Sequence, residues 1–180
     1  MQVASIQMGV IEDDKPRAID RAVQLMRQCR GVDLIVLPEL WNIGFMSFDH
    51  YYSQAEPENG PTLSAMQAVA RELAAYVHTG SFVLKEGESC FNASFLLSPT
   101  GEILGSYRKI HLFAFQSREN QLLTPGKEVS VVQTPLAAFG LATCFDLRFP
   151  ELFRNMVDQG AEVFLVCSAW PYPRLEHWLI

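Results

Sequence analysis

The sequence predicts an α/β protein whose sheets are mixed rather than purely parallel. Short apolar runs alternate along the chain with segments of helical period, and the run at 32–37 is nearly continuous, as in a strand covered on both faces. A hairpin signal, Ser98-Pro99-Thr100-Gly101, joins two adjacent strand-like segments, which a purely parallel sheet would not contain.

Residues 2–8 alternate like a strand. Asp13-Asp14 followed by Pro16 is helix-start chemistry, and Ala18, Ala22, Leu25, Met26 and Cys29 then fall at helical spacing, with Gly31 as the expected C-cap. The strand at 32–37 ends at Pro38-Glu39. Residues 41–61 are rich in aromatic, Gly and polar residues and read as a long loop, which in a compact domain is more often functional than idle. Thr62 is expected to cap a second helix whose buried face is Leu63, Met66, Ala70, Leu73, Ala74 and Val77. Gly80 then leads into a third strand at 81–84. Strands at 91–97 and 102–107 flank the hairpin turn, the second running into Arg108-Lys109-Ile110-His111. A loop carrying Glu119 and Thr124-Pro125-Gly126 precedes strands at 129–133 and 138–143, the latter ending at Cys144. A helix at 150–159 closed by Gly160, an apolar strand at 162–168 and the beginning of a helix at 173–180 complete the order.

Composition narrows the function. The 180 residues suit one domain, and 49% hydrophobic against 19% charged residues is enough to form a core, set against a globular norm of about 45–50% and about 25%. Fourteen Lys+Arg against twenty Asp+Glu give a net charge of −6 with no basic stripe, which argues against a nucleic-acid partner. Cys29, Cys90, Cys144 and Cys167 form no CxxC pair, so neither a zinc site nor a disulfide framework is signalled, and a reducing compartment fits. The N-terminus lacks the basic region of a secretory signal, and no apolar run approaches the roughly 18 residues of a membrane helix. These features predict a cytoplasmic protein with no membrane partner.

Three polar residues stand at the ends of apolar strands: Glu39, Lys109 and Cys144. Taken singly they read equally as a solvated strand end, a surface lysine and an inert buried thiol. Together they form a coherent acyl-transfer set, since a thiolate attacks acyl carbon, a carboxylate can take the thiol proton and an ammonium can hold an oxyanion. The backbone N–H of Phe145, next after the nucleophile, is a candidate second oxyanion donor. A Cys–His pairing of Cys144 with His111 or His78 is the weaker competing reading. Trp41, Phe45, Phe48, Tyr51 and Tyr52 fit either a substrate pocket or the packing of their own loop, and Trp170 and Tyr172 invite the same two readings.

Leu37-Pro38-Glu39-Leu40-Trp41, Tyr107-Arg108-Lys109-Ile110-His111-Leu112-Phe113 and Cys144-Phe145-Asp146-Leu147-Arg148-Phe149-Pro150-Glu151-Leu152 closely resemble the three signature blocks of the nitrilase superfamily of carbon–nitrogen hydrolases. They occur in the same order, and the resemblance extends over essentially the whole chain. It implies an α-β-β-α sandwich in which Glu39 is general base and acid, Lys109 stabilises the tetrahedral intermediate and Cys144 is the nucleophile. Glu119, ahead of Thr124-Pro125-Gly126, matches a second family glutamate that orients the lysine or the substrate amide; the alternative is a surface glutamate. The implied substrate is a small terminal amide, most like that of the omega-amidase branch, with N-carbamoyl or deaminated-glutathione-type amides as rivals and no metal or organic cofactor required. Arg148 is a candidate for a substrate carboxylate, or a structural ion-pair partner. The resemblance further implies a homo-oligomer, partly through the helix at 150–159. It also implies a single domain over 1–180 cut short at Ile180, with the C-terminal part of the family fold missing; a catalytically incompetent interaction module is the alternative that such a cut leaves.

Overall fold

The computed structural model describes residues 1–10, 14–170 and 172–177, and among these five strands form one sheet in the order β1 (Val3–Ser5), β2 (Leu34–Val36), β3 (Tyr76–Glu86), β4 (Ser89–Leu97) and β5 (Ile103–Arg108). β1, β2 and β3 run parallel, while β3, β4 and β5 form an antiparallel meander. The second sheet holds β6 (Ser130–Gln133), β7 (Ala138–Thr143) and β8 (Val163–Cys167), antiparallel between β6 and β7 and parallel between β7 and β8. Both sheets are mixed, as the hairpin signal requires.

Helices supply the parallel crossovers: α1 (Lys15–Arg27) between β1 and β2, α3 (Pro61–Leu73) between β2 and β3, and α5 (Pro150–Asp158) between β7 and β8. Ala22 and Met26 of α1 and Leu63, Met66 and Ala70 of α3 pack with Ile35, Val77, Ala93 and Phe95 on the outer face of the first sheet. Between the sheets, Leu34, Leu96 and Tyr107 meet Val132, Phe139, Leu141 and Leu165. Leu152 and Met156 of α5 cover Ala142 on the far side. The layers are therefore α-β-β-α, and each fully buried Leu or Phe side chain contributes about 1.5–3 kcal/mol.

Several local expectations need correction. The first strand is only Val3–Ser5 rather than 2–8. Asp14 is the N-cap of α1, its side chain accepting from Arg17 N at 3.0 Å, while Asp13 lies outside the described residues. Gly31 does not cap α1, which closes at Gln28; at φ +88° it turns the chain toward β2 instead. Gly60 rather than Thr62 is the N-cap of α3, with Pro61 at the first position. Thr62 is buried, its backbone N–H and hydroxyl both engaged by the Glu56 carboxylate. Residues 41–61 are not all loop, because Phe48–His50 forms a 3-10 turn that runs into the short helix α2 (Tyr51–Gln54). Ala74 closes α3 in the left-handed conformation at φ +52°, so Val77 is buried against α3 from β3 rather than from the helix itself. β3 begins at Tyr76 and absorbs Gly80 where its register with β4 shifts between His78 and Ser81. Glu119 opens a short helix, α4 (Glu119–Leu122), instead of lying in a loop. The helix expected over 173–180 is a 3-10 turn over Tyr172–His177, and 178–180 lie outside the described residues.

Candidate active site

The ends of three strands converge. Pro38-Glu39 follows β2, Lys109 follows β5 and Cys144 follows β7, with Glu119 brought in by α4. Lys109 Nζ lies 2.8 Å from Glu39 Oε1 and 3.1 and 3.0 Å from the two oxygens of Glu119. Neither carboxylate nor the ammonium reaches solvent. A buried ion cluster survives only if its remaining hydrogen-bonding capacity is met, and here it is. Asn92 Nδ2, from β4, donates to Glu39 Oε1 at 2.9 Å and to Glu119 Oε1 at 2.7 Å. Ala169 N donates to Glu39 Oε2 at 3.0 Å, and Phe113 N donates to Glu119 Oε2 at 2.7 Å. Every contact to the two carboxylates is from a donor, which suits their ionised forms.

Charge follows from this geometry. Burial alone would discharge Lys109, but Glu39 and Glu119 outweigh it and hold the lysine above its ordinary pKa. Burial raises Glu119; Lys109 opposes the rise and Glu39 adds to it. Burial first and the Glu39 charge second hold the Cys144 thiol well above the usual range, with Lys109 pulling the other way. The thiol therefore rests neutral, and its proton has a buried carboxylate to go to.

Cys144 stands at φ +49°, a left-handed conformation that is uncommon outside glycine, at the start of the 3-10 turn Cys144–Arg148. The turn is fixed by a capping box in which the Asp146 carboxylate accepts from Thr143 N at 2.9 Å. Two glycines let the chain close around the acid and the ammonium. A Cβ on Gly80 would come within 2.0 Å of Pro38 O, and one on Gly126 within 2.0 Å of Arg108 O.

A cavity of about 1030 Å³ opens onto this cluster. Cys144 and Glu39 line it, as do Phe145, Trp41 and Trp170, so the structure brings these five sequence candidates together. Lys109 and Glu119 are fully buried beside Glu39 and are not among the lining residues. Arg148 is exposed and is not among the lining residues, so nothing in the structure places it against a substrate. Of the loop aromatics, Trp41 and Phe45 line the cavity, whereas Phe48 and Tyr51 pack in the core beneath the loop. Trp41 is anchored by its Nε1–H donating to Thr79 O at 2.8 Å. His111 is tied to Asp146 through Nδ1 at 2.8 Å and stacks on Phe149, and His78 is buried in β3, so neither competes with Glu39 for the thiol. Sequence reasoning missed Asn92 and the backbone donors of Ala169 and Phe113. The signal for Asn92 was a polar residue inside the apolar run at 91–97; the backbone donors leave no mark in side-chain pattern.

A strand-end cysteine beside a buried Glu–Lys–Glu cluster brings together the groups that thiol-dependent acyl transfer needs. The chain belongs to the carbon-nitrogen hydrolase family, whose profile matches residues 2–179. It is 36% identical to the 2-oxoglutaramate amidase of Paenarthrobacter nicotinovorans over 99% of this chain and 64% of that protein. It is 28% identical to the 2-oxoglutaramate amidase of Bacillus subtilis over 84% of this chain and 58% of that protein. The chain thus spans 58–64% of the length of these two relatives. Among solved structures, the carbon-nitrogen hydrolase XC1258 of Xanthomonas campestris superposes with a TM-score of 0.90 at 28% identity, covering 98% of this chain and 68% of that one. Nit3 of Saccharomyces cerevisiae shares the fold at a TM-score of 0.90 and 24% identity, over 99% of this chain and 68% of that one.

Proposed function

We propose that the chain carries an amidase site that hydrolyses a small terminal amide of the omega-amidase type to carboxylate and ammonia. The observation that carries this reading is that Cys144 and Glu39 line one cavity, with Glu39 held in the buried Glu39–Lys109–Glu119 cluster. Cys144 Sγ attacks the amide carbon while Glu39 takes the thiol proton. Lys109 and the backbone N–H of Phe145 hold the oxyanion, and Glu119 holds Lys109 in place. Glu39 returns the proton to the leaving nitrogen, ammonia departs and a thioester remains. Water then gives its proton to Glu39 and attacks the thioester, releasing the acid and restoring the thiol. No step requires a cofactor.

The substrate reading is supported by the names of relatives, which include 2-oxoglutaramate amidase at 36% identity and deaminated glutathione amidase at 30%. Trp41, Phe145 and Trp170 would form the acyl wall. The four free thiols fit a cytoplasmic setting, and exposed Val157 on α5 and Phe164 on β8 fit a homo-oligomer that light scattering would detect. The test is ammonia release by the purified chain from 2-oxoglutaramate, succinamate, a deaminated-glutathione-type amide and a carbamoyl compound, with Cys144→Ala as control. Release that disappears in the variant and is fastest with the first two is the expected result. Release that persists in Cys144→Ala, or a well-folded chain inert toward the whole panel, would overturn it.

A further inference from the structure

Asp146 is fully buried, two residues beyond the nucleophile, and its carboxylate is shared between two chain segments. Oδ2 accepts from Thr143 N at 2.9 Å and from the Tyr107 hydroxyl at 2.8 Å. Oδ1 accepts from His111 N at 3.0 Å and lies 2.8 Å from His111 Nδ1. The Tyr107 oxygen in turn accepts from Ile110 N at 3.2 Å. Thr143 immediately precedes Cys144, while Tyr107, Ile110 and His111 bracket Lys109. One carboxylate therefore clamps the turn that presents the thiol onto the strand end that presents the ammonium. The two segments belong to different sheets, and no backbone ladder joins β5 to β7.

We propose that Asp146 is a positioning residue that sets the placement of Cys144 relative to Lys109 and Glu39, and that holds the nucleophile in its left-handed conformation. This rests on the amidase reading for its kinetic consequences, though not for its structural ones. Losing one oxygen acceptor leaves a buried backbone N–H, that of Thr143 or that of His111, facing an amide NH2 instead of an acceptor, and either way one side of the clamp must move. A displacement of about 1 Å between reacting groups costs about 10²-fold in rate. Tyr107 stays a neutral donor, because burial and the Asp146 charge both push its pKa upward.

The test compares Asp146→Asn with wild type by two readouts on the full chain, each normalised to folded protein by circular dichroism. The first is steady-state amide hydrolysis, where kcat should fall about 10²-fold with KM within about threefold. The second is the pH profile of Cys144 alkylation by iodoacetamide, followed by peptide mass spectrometry, which needs no amidase activity. In wild type its inflection should lie above that of an ordinary thiol, because burial and the Glu39 charge raise it; in Asp146→Asn it should move back toward the ordinary thiol range as the turn swings away from Glu39. If Asp146→Asn does not fold, Tyr107→Phe, which removes a single donor, takes its place and should lower kcat about tenfold with the same displacement of the profile. A folded variant whose alkylation profile overlays wild type overturns the proposal. A wild-type chain that shows the displaced profile without hydrolysing any amide would sink the amidase reading and leave the clamp standing.

Discussion

Lys109 Nζ donates to Glu39 Oε1 at 2.8 Å with both side chains closed to solvent. Glu119 engages the same ammonium from its other side, so two carboxylates share one cation. Lys109→Met should therefore cost about 3–5 kcal/mol in urea unfolding at neutral pH, since it leaves buried charges uncompensated. The deficit relative to wild type should narrow as pH falls, because burial holds Glu119 above the usual carboxylate range and a proton on it removes the repulsion. A deficit that does not change with pH would mean that the loss is one of packing alone.

Glu39→Gln should separate thiol reactivity from turnover. The Glu39 charge helps to hold the Cys144 thiol high, so removing it should increase alkylation of Cys144 at pH 7.5. Amide hydrolysis should fall by about 10²–10⁴-fold, because the group that moves the proton is gone. Parallel loss of both activities in a folded variant would show that Glu39 activates the thiol in both reactions instead of holding it neutral.

His78 is buried in β3 with neither ring nitrogen partnered among the described residues, and burial lowers its pKa from 6.5 to about 4. Between those values the unfolded chain binds a proton that the folded one does not, so folding stability falls as pH drops through this window. The loss from this group amounts to about 3 kcal/mol by pH 4. His78→Leu should flatten that part of the stability profile measured by chemical unfolding, and an unchanged slope would mean that other groups carry it.

Gly80→Ala tests the close approach of β3 to the acid's strand end. Gly80 sits at φ +62°, and its added Cβ would meet Pro38 O at 2.0 Å, one residue before Glu39. Strain of about 1–3 kcal/mol should appear in thermal melting. A larger fractional loss of kcat than of folded protein is expected, because the carbonyl that must move adjoins Glu39, the proposed base.

Glu39, Lys109, Cys144 and Glu119 were legible in the sequence because each is a polar residue in a phrase whose neighbours also match a known pattern. The strands were legible from their apolar runs, and the mixed sheets from one turn. The connections were less so. Gly31 looks like a helix cap, yet the C-cap of α1 is Gln28, three residues earlier, and a lone glycine does not say which residue must turn left-handed. Gly80 looks like a strand boundary but sits at a register shift, a distinction made by the Pro38 carbonyl lying against it. Thr62 has the chemistry of a cap, and its hydroxyl goes instead to Glu56, a partner the helix pattern does not mention. Asn92 and Asp146 act by joining segments distant in sequence, which local periodicity does not encode.

The acid and the ammonium stand on one sheet and the thiol on the other, across the layer where Leu34, Leu96 and Tyr107 meet Phe139 and Leu141. Reactivity is thus a property of the seam rather than of either half. A nascent or partly opened chain holds its cysteine apart from Glu39 and Lys109, so the proposed proton transfer and oxyanion contact are lost together. The hydrophobic seam thereby couples assembly of the two halves to the proposed turnover, and substitutions far from the cavity that loosen it should lower amide hydrolysis before they unfold the protein.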